Sequence, residues 1–437
     1  MVVTGRLAAA AAALALLVVF VLPSWLGVLL VTGVLAVGVL IDMGAVSHAR
    51  DLTLSRQPLT IVRLGRSTAV ELTVLNTGTR NARGTLWDDW PDSARAGTRT
   101  HRLDLAPNTR TRFQTTLTPT YRGDRVPGPV TVRLIGPLGF AGRQTRHLVP
   151  ARVRALPAFG SERLLQSKVK RLQHIEGRSV ANLRGQGTEF DSFREYVAGD
   201  DVRAIDWRAT ARATDVLVRT WRPERNRHMT MVLDTGRISA GRVGSPGEID
   251  DGTRLDVSID AALLLGGLAA AAGDSVDLLA FDREVRAEVR GVGGKGLQLK
   301  LMHAMAAITP ALVDTDSAGL VRAVIQRTRR RSLVVWFTTL DGAAVQENLL
   351  PVLPVLAQRH RVLIVSVTDP EVAASATRRE TLADLYSAAT AETIIAERAL
   401  VQESLRRRGI AVVVAAPDRL ADALADEYLE LKRSGTM

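Results

Sequence analysis

The hydrophobic pattern of the first forty residues sets them apart from the rest of the chain. Leu7 to Leu22 is uninterrupted apolar sequence, Pro23-Ser24 breaks it, and Trp25 to Ile41 is apolar again before Asp42 ends the run. As a helix each stretch spans roughly 25 Å at about 1.5 Å per residue, slightly short of a hydrocarbon core of about 30 Å. Flanking residues complete the span: Arg6 can snorkel at one end, and Trp25 suits the interface beside the tight Pro23-Ser24 turn. The pattern predicts a two-helix transmembrane hairpin over residues 1–42. A cleaved signal peptide would account for Arg6 and the first apolar stretch but not for the second. A hairpin leaves both flanks on one side. Those flanks carry Arg6, His48, Arg50, Arg56, Arg63 and Arg66 while the tip carries no charge, which predicts a protein of the cell membrane with its soluble body in the cytoplasm.

Over residues 51–157 the period shortens to two. Val70, Leu72 and Val74 alternate with Glu71 and Thr73, and Val130, Val132 and Leu134 alternate with Thr131 and Arg133, as half-buried antiparallel strands do. Turn chemistry at Asn76-Thr77-Gly78, Pro127-Gly128 and Gly136-Pro137 divides them, and the expectation is a small β-sandwich serving as a spacer or docking module. A connector over residues 158–228 opens with a basic amphipathic helix, Ser161 to Gly177. Its Leu164, Leu165, Val169 and Leu172 lie among Arg163, Lys168, Lys170 and Arg171. Such a stripe packs on a neighbouring domain more often than it lies on anionic lipid.

From 229 to 435 strand and helix alternate. The apolar runs are Met229 to Leu233, Val276 to Phe281, Val285 to Val289, Leu333 to Thr338, Val362 to Val367 and Ile410 to Ala415, and Arg254 to Ala272 reads as a helix. Strands this continuously apolar are covered by helices on both faces, which predicts a mainly parallel, doubly wound α/β sheet. Ligands bind such sheets at the carboxyl ends of the strands, which directs attention to Asp234 and to the loop Thr338 to Asp341. The fold class expected is therefore multidomain: hairpin, sandwich and α/β domain.

Composition narrows the chemistry. The absence of cysteine excludes a disulfide framework, thiolate metal sites and a cysteine nucleophile. A formal charge of +12 suits an anionic partner, but most basic residues alternate with acids, as on an ordinary solvated surface; nucleic acid is not expected as a partner, nor is a small-molecule substrate. The glycine-rich stretch Gly291 to Gly296 lacks Walker spacing and reads as a loop that starts a helix. Neither Gly-x-Ser-x-Gly nor His-Glu-x-x-His occurs, and the lone His303 suits a core or edge position better than a ligand.

The order of elements after Met229, with Asp234 closing the first strand, resembles the von Willebrand factor A domain. In that family a divalent ion sits on a strand-end Asp-x-Ser-x-Ser, helped by a threonine and an aspartate from later loops, and hard oxygen ligands of this kind suit magnesium. Asp234 matches the first aspartate and Thr315 the threonine. Gly236 and Ile238 stand where the two serines belong, Thr339 stands where the last aspartate belongs, and Asp341 comes two residues late. With three of five ligands lost or displaced, no cofactor is expected, and magnesium only as a weakly held ion on Asp234, Thr315 and Asp341. The other role open to Asp234 is to cap a helix or pair with an arginine.

The run GQGTEFDSFREYVAGDDVRAIDWRATARATDVLVRTW, from Gly185 to Trp221, packs carboxylates, arginines and aromatics together. It closely resembles the signature of the bacterial domain-of-unknown-function family 58, whose layout the PTYRG and GPLGF turns at Pro119 and Gly136 also match. The resemblance implies a membrane-anchored protein with a degenerate von Willebrand-like body, commonly encoded beside a MoxR-type AAA+ ATPase and without an established enzymatic activity. From the residues themselves, Glu189, Glu195, Asp200, Asp201 and Asp206 interleave with Arg194, Arg203, Arg208 and Arg212, and arginine forks bind carboxylates bidentately. Tyr196, Trp207 and Trp221 add apolar area with polar tips. The motif can clamp the connector internally, with Asp206 and Trp207 as the buried end, or present a partner-recognition surface. The set lacks a nucleophile with an orienting base, so the expectation is a protein-interaction module and not an enzyme. The alternative is a metal-dependent hydrolase or transferase using Asp200, Asp201 and Asp206.

Overall fold

The computed structural model describes residues 1–21, 23–182, 189–222, 227–243, 252–294, 296–340 and 345–434. The chain divides into two compact units, Met1–Leu156 and Pro157–Met437.

The first unit begins with a short strand, β1 (Val2–Val3), and two apolar helices, α1 (Gly5–Val21) and α2 (Trp25–Ala45). Ser24 caps α2 by accepting the Gly27 amide at 3.1 Å. At 21 residues and a mean hydropathy of 2.4, α2 is long and apolar enough to cross a membrane, and α1 is a shorter apolar helix. Asp42 was expected to end the apolar span; instead the helix continues through it to Ala45. The reason is that its carboxylate is fully engaged by backbone amides of the Gly136–Ala141 loop.

Ten strands follow: β2 (Leu52–Arg56), β3 (Leu59–Arg63), β4 (Thr68–Asn76), β5 (Ala82–Trp87), β6 (Thr100–Leu105), β7 (Arg110–Leu117), β8 (Gly123–Arg125), β9 (Val130–Ile135), β10 (Ala141–His147) and β11 (Arg152–Leu156). They form sheets of order β1-β10-β9-β5-β6, β2-β4-β7 and β3-β11-β8. The period-two positions do what alternation demands: Leu72 and Val74 of β4 meet Leu86, Leu103, Val130, Val132 and Leu134 of the larger sheet in one apolar core. Asn76 makes the first turn, its amide donating to the Arg80 and Leu105 carbonyls at 2.8 and 3.1 Å while its oxygen accepts the Gly78 amide. A buried polar cluster pins the sandwich from within. Asp88 accepts the Trp90 indole at 3.0 Å and the Thr115 hydroxyl at 2.7 Å and pairs with Arg56.

The second unit opens with α3 (Glu162–Asn182), longer than the expected helix. It is followed by a ribbon of β12 (Glu189–Glu195), a short helix α4 (Trp207–Thr210) and β13 (Leu217–Arg222). Then come β14 (His228–Asp234), the two-residue pair β15 (Arg242–Val243) and β16 (Gly252–Thr253), α5 (Arg254–Ala271), β17 (Ser275–Phe281), β18 (Val285–Val292), α6 (Leu297–Ala306), α7 (Ser317–Arg327), β19 (Leu333–Phe337), α8 (Leu353–Arg359), β20 (Arg361–Val367), α9 (Pro370–Ser375), α10 (Leu382–Arg407), β21 (Ala411–Ala415) and α11 (Pro417–Arg433).

Six of these strands form one sheet of order β18-β17-β14-β19-β20-β21. All pairings are parallel except the β17–β18 edge. One face buries Val232, Val334, Trp336 and Ile364 against α7, α8 and α10; α5 packs on the other, where Met231 reaches Gly266. Coverage on both faces explains why the strands read as unbroken apolar runs. The basic helix α3 packs within its own unit: Leu172 is buried, Leu165 lies against Gly267 of α5, and Lys168 bonds Asp422 and Asp426 of α11 at 2.6 and 2.7 Å. Gly296, in the left-handed region at φ 101°, ends the Gly291 to Gly296 loop and opens α6.

Candidate functional site

From β14 the sheet grows outward through β17 and β18, then restarts on the other side of β14 with β19. The switch point of the topology therefore lies between β14 and β19, the place where open α/β sheets hold ligands. Asp234, the last residue of β14, stands there, buried. One carboxylate oxygen accepts the Gly236 amide at 2.9 Å and the Thr315 hydroxyl at 2.5 Å; the other accepts the Thr338 hydroxyl at 2.9 Å. Burial pushes this carboxyl above its usual range, against the pull of the three donors.

Thr315 meets Asp234, and of the loop Thr338 to Asp341 it is Thr338, not the Thr339 aligned with the family's last aspartate, that reaches it. Because β19 stops at Phe337, the residue next to it faces Asp234, while the Thr339 hydroxyl is buried without a hydrogen-bond partner among the described residues. Asp341 lies outside the described residues. The glycine at 236 has a geometric cause: a Cβ there would sit 2.1 Å from the Thr315 hydroxyl, so a serine is incompatible with the Thr315–Asp234 bond as built. Ile238 lines the small cleft beside Asp234, together with Ser239, Arg254, Ser258, Phe337 and Val367, and contributes hydrocarbon where a cation needs oxygen. Among the described residues Asp234 neither caps the adjoining helix, whose N-cap is Gly236, nor pairs with an arginine. Behind it Asp282, fully buried, accepts the Thr235 hydroxyl at 3.0 Å and the Arg286 guanidinium at 2.7 Å.

The charged motif forms the ribbon β12–β13, in which Arg194 pairs in register with Val218 and Glu195 with Leu217. Its three aspartates each organise a different piece of chain. Asp200 accepts the Val197 amide at 3.0 Å and the Arg194 guanidinium at 2.5 Å around Gly199, which takes φ 110°. Asp201 caps the turn Val202–Ala204 through the Arg203 amide. Asp206 caps α4, one oxygen accepting the Arg208 and Ala209 amides at 3.0 and 2.9 Å and the other the Arg219 guanidinium at 2.6 Å. The Arg194 hydrogen bond, then the Val197 amide, holds Asp200 below the usual carboxylate range; for Asp206 the Ala209 amide and then Arg219 do the same.

The expected clamp is thus half present. Asp206 is buried, but Trp207, expected beside it in the interior, is 68% exposed, because a residue that opens a four-residue helix on a two-stranded ribbon has no layer above it. Tyr196, Val197, Val202 and Phe193 are exposed as well. Glu195, Arg203, Arg208 and Arg212 lie on the surface. Arg219, absent from the expected set, is the residue that holds Asp206. Glu189 opens β12, but its side chain and that of Trp221 lie outside the described residues. Among the described residues no group of three His, Asp or Glu side chains comes together as a metal site.

Uncharacterized proteins of Mycobacterium bovis (Mb1516) and Mycobacterium tuberculosis (Rv1480) are 29% identical over 202 residues, which is 45% of this chain and 60% of theirs. The match spans less than two thirds of those relatives' length. Among solved structures, the GH20 exo-β-N-acetylglucosaminidase of Vibrio harveyi aligns over 68% of this chain and 58% of its own, at 12% identity and a TM-score of 0.17, too low to carry any argument about fold or function. The family model described as Protein of unknown function DUF58 matches residues 192–408, from within β12 to the end of α10, and that part of the chain belongs to the family.

Proposed function

We infer that this is a membrane-anchored interaction protein whose ribbon β12–β13 presents a surface to a cytoplasmic partner, in a chaperone-like or envelope-assembly process. The observation that carries this reading is the split within the motif. Its carboxylates are spent on holding turns, while Trp207, Val202, Val197 and Tyr196 face solvent beside the surface residues Arg203, Arg208 and Arg212. Exposed tryptophan and arginine together are the composition of an interface hot spot. The resemblance to the family points to a MoxR-type AAA+ ATPase as the partner. The α/β domain is read as von Willebrand factor A-like from its strand order and from Asp234 at the switch point, with no cofactor required.

In this reading the anchor is α2 with α1 as its companion, and the arginine-rich flanks favour a body on the cytoplasmic side. Both ends of the hairpin meet the same loop, since the Thr4 amide donates to the Phe140 carbonyl and Asp42 accepts the Phe140 amide. A hydrolase built on Asp200, Asp201 and Asp206 gains no support from this arrangement, because each carboxylate serves its own turn. The test is co-purification of the full-length protein with the MoxR-type ATPase of the same genome from detergent-solubilised membranes. Trp207→Ser should abolish capture at an unchanged melting temperature, and undiminished capture by that variant would remove the surface from consideration.

A further inference from the structure

Asp42 sits in the last turn of α2 with its carboxylate fully buried. Leu138 donates its amide to one oxygen at 2.8 Å, and Phe140 and Ala141 donate theirs to the other at 2.6 and 3.0 Å. The loop is shaped for this embrace. A Cβ on Gly136 would lie 2.5 Å from the Asp42 carboxylate, and Gly139, at φ 77°, has Arg6 of α1 2.9 Å from where its Cβ would be. The N-terminus closes the assembly: the Thr4 amide donates to the Phe140 carbonyl at 3.1 Å, the Thr4 hydroxyl donates to the Gly139 carbonyl, and Val2 and Val3 pair with Gly142 and Ala141.

The depth of this contact is what makes it informative. The Phe140 ring lies 2.9 Å, and Leu138 Cδ1 3.8 Å, from the position a Cβ would take on Gly38, one turn further into α2 than Asp42. With Trp25 at the far interface, Gly38 lies about 20 Å and Asp42 about 26 Å along the helix, both inside a hydrocarbon thickness of about 30 Å. Irregular backbone survives at that depth only where its polar groups are satisfied by protein. The Asp42 carboxylate supplies that satisfaction for three amides at once, and an ionisable side chain within a span needs partners of this kind. Leu138, lying beside α2, is still 44% exposed.

We propose that the Gly136–Phe140 loop of the β-sandwich is a wedge seated in the lipid bilayer, with Leu138 in the acyl-chain region and Arg6 at headgroup level. It holds the sandwich against the membrane as one body with the hairpin. This rests on α2 crossing the membrane.

The chain has no cysteine, so single cysteines can be labelled without background. The full-length protein is reconstituted into phosphatidylcholine–phosphatidylglycerol vesicles with a polarity-sensitive fluorophore on Leu138→Cys, on Val34→Cys in the middle of α2, or on Leu148→Cys at the opposite end of β10. Each is then quenched by lipids brominated along the acyl chain or by aqueous iodide. The wedge requires at least a twofold preference for the lipid quencher at 138 and at 34, with iodide dominating at 148. Iodide quenching at 138 together with lipid quenching at 34 would overturn the wedge and leave the span intact. Iodide quenching at 34 would overturn the span and the wedge with it. On the unaltered chain, a photoactivatable lipid should leave adducts on residues 136–141 as well as on α2, and adducts on α2 alone would again overturn the wedge.

Discussion

Thr315 and Asp234 are joined by a 2.5 Å hydrogen bond in which the threonine hydroxyl is the donor, so the side chain that would hold a cation in a von Willebrand-like site is used here to satisfy a carboxyl. That carboxyl is buried and titrates above its usual range chiefly because of burial. A raised folded-state value means that stability is greatest below the unfolded value of about 3.9 and is lost as pH rises through the folded value. Asp234→Asn should therefore raise the melting temperature at pH 7, and the gain should vanish near pH 3.5. Magnesium and chelator should leave both proteins unchanged, whereas a bound ion at a hundredfold excess over its Kd would add about 2.7 kcal/mol. A magnesium-dependent melting shift lost in Asp234→Asn would restore the metal reading.

Within the charged motif, folding and recognition should separate by residue. Asp206 caps α4 and holds Arg219, so Asp206→Ala should lower the melting temperature and loosen the ribbon in hydrogen exchange. Trp207, exposed and opening the same helix, should change stability by no more than about 0.5 kcal/mol when replaced by serine. If Trp207→Ser melts as low as Asp206→Ala, the tryptophan belongs to the clamp after all.

The C-terminal helix is fastened to the sheet through Asp274. This fully buried carboxylate accepts the Tyr428 hydroxyl at 2.7 Å, Lys432 Nζ at 2.8 Å and the Arg227 amide at 3.3 Å. Asp274→Ala leaves Lys432, itself only 7% exposed, without its counter-ion, and breaking a buried pair this way costs about 3 to 5 kcal/mol. Urea denaturation should show that loss for the single variant, and Lys432→Met added to it should recover part of it. Full stability of Asp274→Ala alone would mean that the cluster contributes no net stabilisation.

Much of this architecture was legible in the sequence because periodicity reports burial directly. The two-residue alternation at Val70 to Val74 and at Val130 to Leu134 appears as one sandwich core, and the six apolar runs after residue 228 appear as the six strands of one sheet. What escaped was chemistry that depends on contacts distant in the chain. Asp42 read as the end of a span because a charge normally stops one; the three amides that neutralise its cost come from a loop nearly a hundred residues later. Trp207 read as buried because it lies at the centre of the motif between apolar Ile205 and the strand-like Val216 to Trp221, but it opens a short helix on a two-stranded ribbon and is exposed there. The loop from Thr338 stood out, but Thr339 was the residue aligned with a ligand position, because where β19 ends decides which of two adjacent threonines faces Asp234.

His360 offers a pH-dependent test of the core of the α/β domain. Its ring is buried, and neither nitrogen has a hydrogen-bond partner among the described residues. Burial, reinforced by Arg359, His228 and Arg331, lowers its pKa below the ordinary value. The unfolded chain then takes up a proton near pH 6.5 that the folded chain refuses, so stability is unaffected above that pH and declines as pH falls from about 6.5 towards the folded value, by at most about 1.4 kcal/mol per pH unit. The neighbouring His228 is engaged, bonding Ser332 at 3.0 Å and Asp277 at 3.1 Å, which leaves His360 as the ring without compensation. His360→Phe keeps an aromatic ring of similar size in place and removes the proton. The melting temperatures of parent and variant should differ by a constant amount between pH 7 and 8, and the parent should lose ground to the variant on going to pH 5.5. Parallel curves down to pH 5.5 would show that His360 does not set the acid side of the stability profile.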